Sequence, residues 1–251
     1  MKPKIIALYL PQYYPFKENN EWWGTGFTEW TNVGKAKPLF KGHYQPRVPA
    51  DLGYYDLRLP CIREQQAQLA KEAGVYGFCY WHYWFGNGRR LMNLVLSTGK
   101  PDFPFCLGWA NHSWYAKNWN ISDTKGKDRL LIEQEFLGVD DFRMHYEYVR
   151  KAFRDSRYIY QDDMPVFMIY DSHNLPDDFI VYWLKWAKED GFKGIYFIGN
   201  IYYNENSGDY INRGYSAVIK GRLRSYQKHT LKQNIWAHLK GWINTYLLHR
   251  F

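Results

Sequence analysis

The sequence predicts an α/β fold, specifically a (β/α)8 TIM-barrel-like domain that is incomplete towards its C-terminus. Short apolar segments with strand character alternate with segments of helical periodicity, which is typical of parallel sheets. Six such strands can be counted, and a long first loop takes the residues that two further units would require. No GxGxxG or GxxxxGK[ST] follows any of these strands, so a nucleotide-phosphate fold has no support.

The predicted strands are short and apolar, and turn residues bound them. They cover residues 4–10, 75–81, 103–110, 165–171, 194–200 and 216–220. Helical spacing of apolar positions predicts helices at 61–73, 90–97, 140–154, 176–189 and 228–248. We therefore assign residues 1–220 to the barrel and 221–251 to a basic amphipathic helix, which either completes the same domain or extends from it.

The segment between the first strand and about residue 60 is rich in proline and glycine. A connection of nearly fifty residues is too long for a simple turn, and long loops in compact domains commonly carry function. We expect this segment to contribute to a site at the end of the barrel where the strands finish.

The net charge of +8 is concentrated at the end of the chain. No acidic residue follows Asp209, whereas eight lysines and arginines do. The preceding part is neutral and holds no recognised nucleic-acid module, which argues against nucleic acid as a partner. The helix predicted at 228–248 has two readings: contact with an anionic membrane surface, or an ordinary barrel helix that packs on the sheet.

Targeting and redox signals favour the cytoplasm. No apolar run is long enough to span a bilayer, and Pro11 ends the apolar segment at the N-terminus before any cleavage site. The three cysteines are isolated, which fits a reducing compartment better than a disulfide framework. We expect a cytoplasmic protein, peripheral to the inner membrane if the basic helix binds lipid.

Aromatic residues make up 20% of the chain, and many stand where predicted strands end. A sugar ring stacks its C–H face on such rings while amide, imidazole and carboxylate groups pair with its hydroxyls. The alternative is that many of these aromatics are core residues. The candidates for glycan binding are Tyr9, Trp30, Tyr83, Trp84, Trp109, Asn111, His112, Trp114, Tyr170 and Asp171.

Two residues are candidates for acid/base chemistry. Glu29 lies in TGFTEWTNV between aromatic residues, where a plain surface charge would be unusual, and His82 follows the second strand. His82 could equally be a hydrogen-bonded structural residue, and Asp171 could form an Asx turn in YDSHN. No spacing of Cys and His indicates a metal site, and we expect neither a metal nor another cofactor.

Several long segments resemble the WbsX-like glycosyltransferase family, which is related to the family 99 glycoside hydrolases. The matching segments are ALYLPQYYP (7–15), the run from GTGFTEW to YYDLR (24–58), GFCYWHYWF (77–85) and GWANHSW (108–114), with MPVFMIY (164–170) as weaker support. The resemblance extends over residues 1 to about 220. It implies a (β/α)8 barrel acting on bacterial surface polysaccharide such as O-antigen or capsule.

In the hydrolase relatives, a pair of glutamates acts on mannosides with retention of configuration. WbsX-like proteins usually carry an Asn-Glu-Trp segment with a second glutamate near the end of the barrel. This chain has no such segment, because its Asn204-Glu205 step continues as NSGDY. The glutamate pair cannot be carried over, which agrees with the count of six strands and predicts a chain shortened in its last quarter.

Two functional hypotheses follow from these patterns. The first is a carbohydrate-active enzyme that performs glycosyl transfer or glycoside hydrolysis on mannose-like sugars, on a substrate that could be lipid-linked. The second is a catalytically inactive glycan-binding module, or a truncated fragment of an enzyme, that keeps the aromatic cleft and lacks the glutamate pair. Measured turnover on a glycan would distinguish them.

Overall fold

The computed structural model describes residues 3–91, 98–116, 128–202 and 204–220. In chain order the elements are β1 (Ile6–Tyr9), α1 (Lys17–Trp23), α2 (Glu29–Lys35), α3 (Pro60–Glu72), β2 (Gly77–His82), β3 (Phe105–Trp109), β4 (Trp114–Ala116), β5 (Arg129–Ile132), α4 (Val139–Phe153), β6 (Tyr160–Gln161), β7 (Met164–Ile169), α5 (Asp177–Glu189), β8 (Tyr196–Ile201), α6 (Ser207–Asn212) and β9 (Ala217–Lys220). The helices predicted at 90–97 and 228–248 fall almost wholly outside these ranges.

Six strands form one parallel sheet in the order β1-β2-β3-β7-β8-β9, and the short β6 pairs antiparallel with β7. The sheet curls into a half-barrel. All six predicted strands are confirmed, with their ends moved by at most two residues. Because strands that neighbour each other in the sheet run in the same direction, their C-terminal ends meet at one edge.

Helices α4 and α5 cover the outer face of the sheet. The buried residues of α5 recur at helical spacing, and Trp183 among them contacts Phe167 of β7 and Phe197 of β8. These three side chains are fully buried. Burying such aromatic surface is the dominant favourable contribution to stability, so the outer face holds the core of the protein.

The long segment after β1 is more ordered than the sequence analysis predicted, since it contains the short helices α1 and α2. Near its end, Leu57 is 1% exposed and donates a backbone hydrogen bond to the Tyr13 carbonyl at 3.1 Å. Arg63 of α3 then donates to the Leu57 carbonyl. These contacts anchor the segment beside the C-terminal end of β1, where the sequence analysis expected a functional loop.

A second insertion lies between β3 and α4. Strands β4 and β5 pair antiparallel, with Trp114 opposite Ile132. Ile132 is buried against a small apolar cluster that includes Tyr83 and Phe85. The sequence pattern predicts a plain loop here, because these strands are too short for a clear two-residue period.

Candidate functional site

An open cleft of about 700 Å³ lies beyond the C-terminal ends of the parallel strands. Parallel barrels place their active sites at this end, because the loops that follow the strands converge there. The cleft is lined by Gln12, Asn111, His112, Ser113, Trp114, Tyr115, Gln134, Phe136, Asp171 and Asn174. Its size and its mixture of aromatic and polar groups suit a small organic ligand.

Asn111 connects the end of β3 to the end of β7. Its Nδ2 donates to the Asp171 carbonyl at 2.8 Å, and the Asp171 backbone N–H donates to its Oδ1 at 2.7 Å. Asn111 is only 2% exposed, so its amide serves mainly to hold the backbone of the two strand ends together. The contact fixes Asp171 at the wall of the cleft.

Asp171 forms the turn predicted in YDSHN and also lines the cleft. Its Oδ1 accepts from the Asn174 N–H at 3.2 Å and its Oδ2 accepts from Asn174 Nδ2 at 2.7 Å, so the predicted turn is present. The same residue lines the cleft and an adjoining pocket of about 200 Å³. The two cavities share His112 and Asp171, which therefore stand at their boundary.

Aromatic rings form the floor beneath this boundary. The Tyr170 ring meets His112 at 5.1 Å and Trp81 at 5.4 Å, both edge-on. Gly108 of β3 lies beside Trp81 and Cys79: a Cβ there would stand 2.9 Å from Cys79 Sγ, which is too close, and 3.5 Å from the Trp81 indole, which is ordinary contact. The glycine thus leaves room for the Cys79 side chain between β2 and β3.

His112 lies beside a carboxylate in a partly buried position. Burial lowers the pKa of His112, while the nearby Asp171 charge opposes that shift. The imidazole is therefore neutral at pH 7, with one nitrogen that donates and one that accepts. It can pair with a hydroxyl group in either direction.

Trp114 provides an aromatic wall on the other side of the cleft. Its ring is supported edge-on by Tyr83, with ring centroids 5.1 Å apart, and lies near Trp22. Tyr83 itself is 4% exposed and lies behind this wall rather than on it. It therefore supports the cleft without lining it.

Glu29, at the start of α2, is one hydrogen bond removed from the cleft. Its Oε1 accepts from Gln12 Nε2 at 2.5 Å, and Gln12 lines the cleft. Its Oε2 is buried without a hydrogen-bond partner among the residues that the structure describes. Burial raises the pKa of Glu29, and the bond from Gln12 only partly opposes this.

The structure places His82 on the opposite face of the sheet. Its Nε2 lies 2.8 Å from His145 Nε2, and its ring also stacks near Tyr148 of α4. Burial is the main cause that lowers the pKa of His82 to about 3. This position argues against the predicted role in proton transfer to a substrate, and supports the alternative of a structural histidine.

Three aromatic candidates also lie on the outer face, in the core. Trp84 stacks on His145 at 4.7 Å and donates to Asp141, while Trp109 donates to the Trp84 carbonyl at 3.0 Å. Tyr9 donates to Gln66 of α3. The prediction that these three rings line the cleft is corrected, because alternate residues of a strand face opposite sides and the helices cover these.

Trp30 packs within the long segment that follows β1. Its Nε1 donates to the Tyr55 carbonyl at 2.9 Å, and its ring contacts Tyr13, Tyr54 and Tyr55. It is not among the residues that line the cleft. Trp30 therefore helps to fold the segment that carries Glu29.

Several residues that line the cleft are not among the candidates predicted from the sequence. Gln134 and Phe136 come from the segment after β5, and the Gln134 backbone N–H is held by Ser113 Oγ at 2.9 Å. The β4–β5 hairpin brings these two residues to the strand ends. The local sequence around them therefore does not indicate that they line the cleft. For Gln12, the one indication of a place in the cleft is its position just after the first predicted strand.

Among the parts of the chain that the structure describes, no helix is long and apolar enough to cross a membrane. The membrane contact predicted for the basic helix at 228–248 lies outside those parts. It stays a prediction.

Comparison with solved structures finds a similar fold. The GH99 endo-alpha-mannosidase from Bacteroides thetaiotaomicron matches with a TM-score of 0.50 and 16% sequence identity, covering 96% of this chain and 68% of that one. At this identity the similarity supports the fold alone. It agrees with the predicted barrel class.

Comparison of sequences identifies closer relatives. The uncharacterized protein WxcX of Xanthomonas campestris pv. campestris, in strains B100 and ATCC 33913, is 40% identical over 198 residues, or 76% of this chain. The chain spans about a quarter of the length of these relatives, 28%. The family model described as glycosyltransferase WbsX matches residues 5–246. The chain therefore belongs to the WbsX glycosyltransferase family.

Proposed function

We propose that this protein binds a glycan in the cleft at the strand ends and acts on it by glycosyl transfer or glycoside hydrolysis. Membership in the WbsX family and the half-barrel fold support a carbohydrate-active protein. The observation that carries the proposal is the boundary between the two cavities, where His112 and Asp171 line both cavities and the Tyr170 ring contacts His112 edge-on.

The cleft has the chemistry that a pyranose requires. Trp114 offers an aromatic face for the C–H side of the ring, while His112, Gln12 and Asp171 offer donors and acceptors for hydroxyl groups. A glycan that continues into the smaller pocket would reach Asn200 and Tyr202. The two cavities thus suit at least two linked sugar residues, with His112 and Asp171 beside the linkage.

His112 and Asp171 are the proposed acid/base groups. Both line the cleft, and a neutral imidazole can accept a proton from an attacking hydroxyl group or return one to a leaving group. Glu29 contributes indirectly, because its carboxylate contacts Gln12 and not the cleft surface. The acid/base role predicted for His82 is not part of this proposal.

Two observations support the substrate class. The solved structure with a similar fold is an endo-alpha-mannosidase, and the matching family model is described as a glycosyltransferase. The resemblance seen in the sequence implies bacterial surface polysaccharide. We therefore propose a mannose-containing glycan, free or lipid-linked, handled in the cytoplasm or at the inner face of the membrane.

A second candidate is a glycan-binding protein without turnover. Glycoside hydrolysis ordinarily uses two carboxyl groups that flank the bond, about 5–10 Å apart. Among the described residues that line the two cavities, Asp171 is the one carboxylate. This observation favours binding over hydrolysis, and leaves glycosyl transfer with the His112–Asp171 pair as the catalytic alternative.

Binding and turnover should be measured separately on the purified chain. Calorimetry with manno-oligosaccharides tests binding, and chromatography of manno-oligosaccharides and lipid-linked oligosaccharides tests turnover. Trp114→Ala should weaken binding at least tenfold through loss of stacking, whereas Asp163→Asn at an exposed turn should not. Turnover that Asp171→Asn abolishes supports the enzyme, and binding without turnover supports the module. Absence of glycan binding by the wild type would refute both.

A further inference from the structure

Gln12 is a polar residue of the cleft whose amide is held from behind. Its Nε2 donates to Glu29 Oε1 at 2.5 Å, and the Tyr83 hydroxyl lies 3.5 Å from its Oε1. Gln12 is half-buried and lies three residues beyond the end of β1, at the edge of the cleft. Such an amide presents the rest of its hydrogen-bonding groups to the cleft in a set direction.

The hydrogen bond to Glu29 determines the orientation of the Gln12 amide. An ionised carboxylate only accepts hydrogen bonds, so it selects the nitrogen of Gln12 and not the oxygen. One N–H of Gln12 remains free of this bond, and its carbonyl oxygen keeps at least one lone pair beside the long contact to Tyr83. The cleft therefore receives a donor and an acceptor from one side chain.

Glu29 itself is shielded from a ligand. Its Oε2 is buried, and its negative charge helps to raise the pKa of the Tyr13 and Tyr83 hydroxyls, after burial as the main cause. These two phenols lie near the carboxylate and are neutral well above pH 7. Any effect of Glu29 on a ligand must therefore pass through Gln12.

We propose that Gln12 is a recognition residue that pairs its amide with two neighbouring hydroxyl groups of one sugar ring, and that Glu29 is the positioning residue that fixes the direction of that amide. The sugar would stack on Trp114, whose ring is supported by Tyr83. This inference rests on the proposed glycan cleft and goes beyond it by assigning the group that reads the hydroxyl pattern.

The first test pairs a variant with altered ligands. Methyl α-mannoside and its four monodeoxy analogues are titrated against wild-type protein and Gln12→Ala by saturation-transfer NMR. For the wild type, removing one of the two recognised hydroxyls should weaken binding about tenfold, as expected for a lost hydrogen bond and an unpaired amide. Gln12→Ala should bind the parent sugar about tenfold more weakly and should no longer distinguish it from those analogues.

The second test isolates the positioning role of Glu29. Wild-type affinity should fall as the pH is lowered from 7.5 towards the pKa of Glu29, which burial raises, because a protonated carboxyl can donate and allows the amide to turn. Glu29→Gln should bind severalfold more weakly at pH 7.5 and lose this part of the pH profile, while His112 titrates alike in both proteins. Glu21→Gln, at an exposed site of α1, should keep the wild-type profile.

The outcomes separate the inference from the proposed function. Glycan binding that Gln12→Ala leaves unchanged would overturn the recognition role while the cleft stands. An unchanged pH profile in Glu29→Gln would overturn the positioning role. If the wild type binds no mannoside or manno-oligosaccharide, the proposed function fails and the inference fails with it. Thermal unfolding of each variant shows whether it is folded during the measurement.

Discussion

The side chain of Asn111 and the backbone of Asp171 are joined by two hydrogen bonds of 2.7 and 2.8 Å. The two bonds pair the carbonyl and the N–H of Asp171, which follows β7, with the side-chain amide of Asn111. Asp171 lies beyond the last pair of the β3–β7 ladder, Trp109 with Ile169. The geometry of the cleft therefore depends on a buried residue that is itself almost inaccessible to ligand.

Asn111→Asp should be strongly destabilising. The new carboxylate keeps the bond from the Asp171 N–H but faces the Asp171 carbonyl with an acceptor, leaving two buried acceptors unpaired. We expect a loss of about 3 kcal/mol in the free energy of unfolding. Urea unfolding measures this, with Asn212→Asp at an exposed position as the control. Equal midpoints for the two variants would contradict this role of Asn111.

Gly108→Ala should overpack the sheet between β2 and β3. Its Cβ would stand 2.9 Å from Cys79 Sγ, so the sulfur or the backbone must shift, whereas the 3.5 Å to the Trp81 ring is ordinary contact. Overpacking of this kind costs about 1–3 kcal/mol. Gly34→Ala in α2 meets nothing within 4 Å and should instead stabilise by about 0.5–1 kcal/mol, because alanine favours a helix. Thermal unfolding of both variants tests the two predictions. A melting temperature of Gly108→Ala equal to that of the wild type would contradict the predicted overpacking.

The buried pair His82 and His145 should make stability depend on pH. Both pKa values are lowered in the folded state, mainly by burial, to about 3 for His82. The unfolded chain binds protons near pH 6.5, so the folded state loses stability as the pH falls below that value. For His82 alone the loss between pH 7.5 and 5 is about 2 kcal/mol.

Urea unfolding at pH 7.5, 6.5 and 5 measures this dependence. The double variant His82→Leu/His145→Leu removes both partners of the 2.8 Å contact and should show a shallower decline. His43→Gln, on the segment after β1, should keep the wild-type slope. The same slope in the double variant would mean that other groups cause the acid sensitivity.

Tyr146→Phe should weaken the contact between α4 and the end of α5. The Tyr146 hydroxyl donates to Asp190 Oδ2 at 2.8 Å, and Arg150 holds the same carboxylate at 3.0 Å. Because Arg150 remains, we expect a loss of only about 1 kcal/mol in urea unfolding. Tyr182→Phe on α5 is the matched control. An equal loss of stability in that variant would contradict a specific contribution of the hydrogen bond from Tyr146 to Asp190.

Local patterns along the chain were sufficient to predict the order of the strands. Each of the six is a short apolar run bounded by turn residues, and burial between helices and the barrel interior requires that composition. The helices α4 and α5 were predicted for the same reason, since their apolar residues recur at helical spacing. The paired strands of the β4–β5 hairpin were missed, because three or four residues show no reliable period.

The residues at the end of β2 show where prediction from sequence ends. Trp81 and His82 are neighbours in the chain, yet Trp81 faces the floor of the cleft and His82 faces α4. Successive side chains of a strand point to opposite faces, and the packing of the helices decides which face is the core. The sequence by itself therefore determined the parallel sheet and the edge at which the site lies. Only the tertiary structure decided that Asn111, His112 and Asp171 share a cleft while Trp84 and Trp109 are core, because that depends on contacts between residues far apart in the chain.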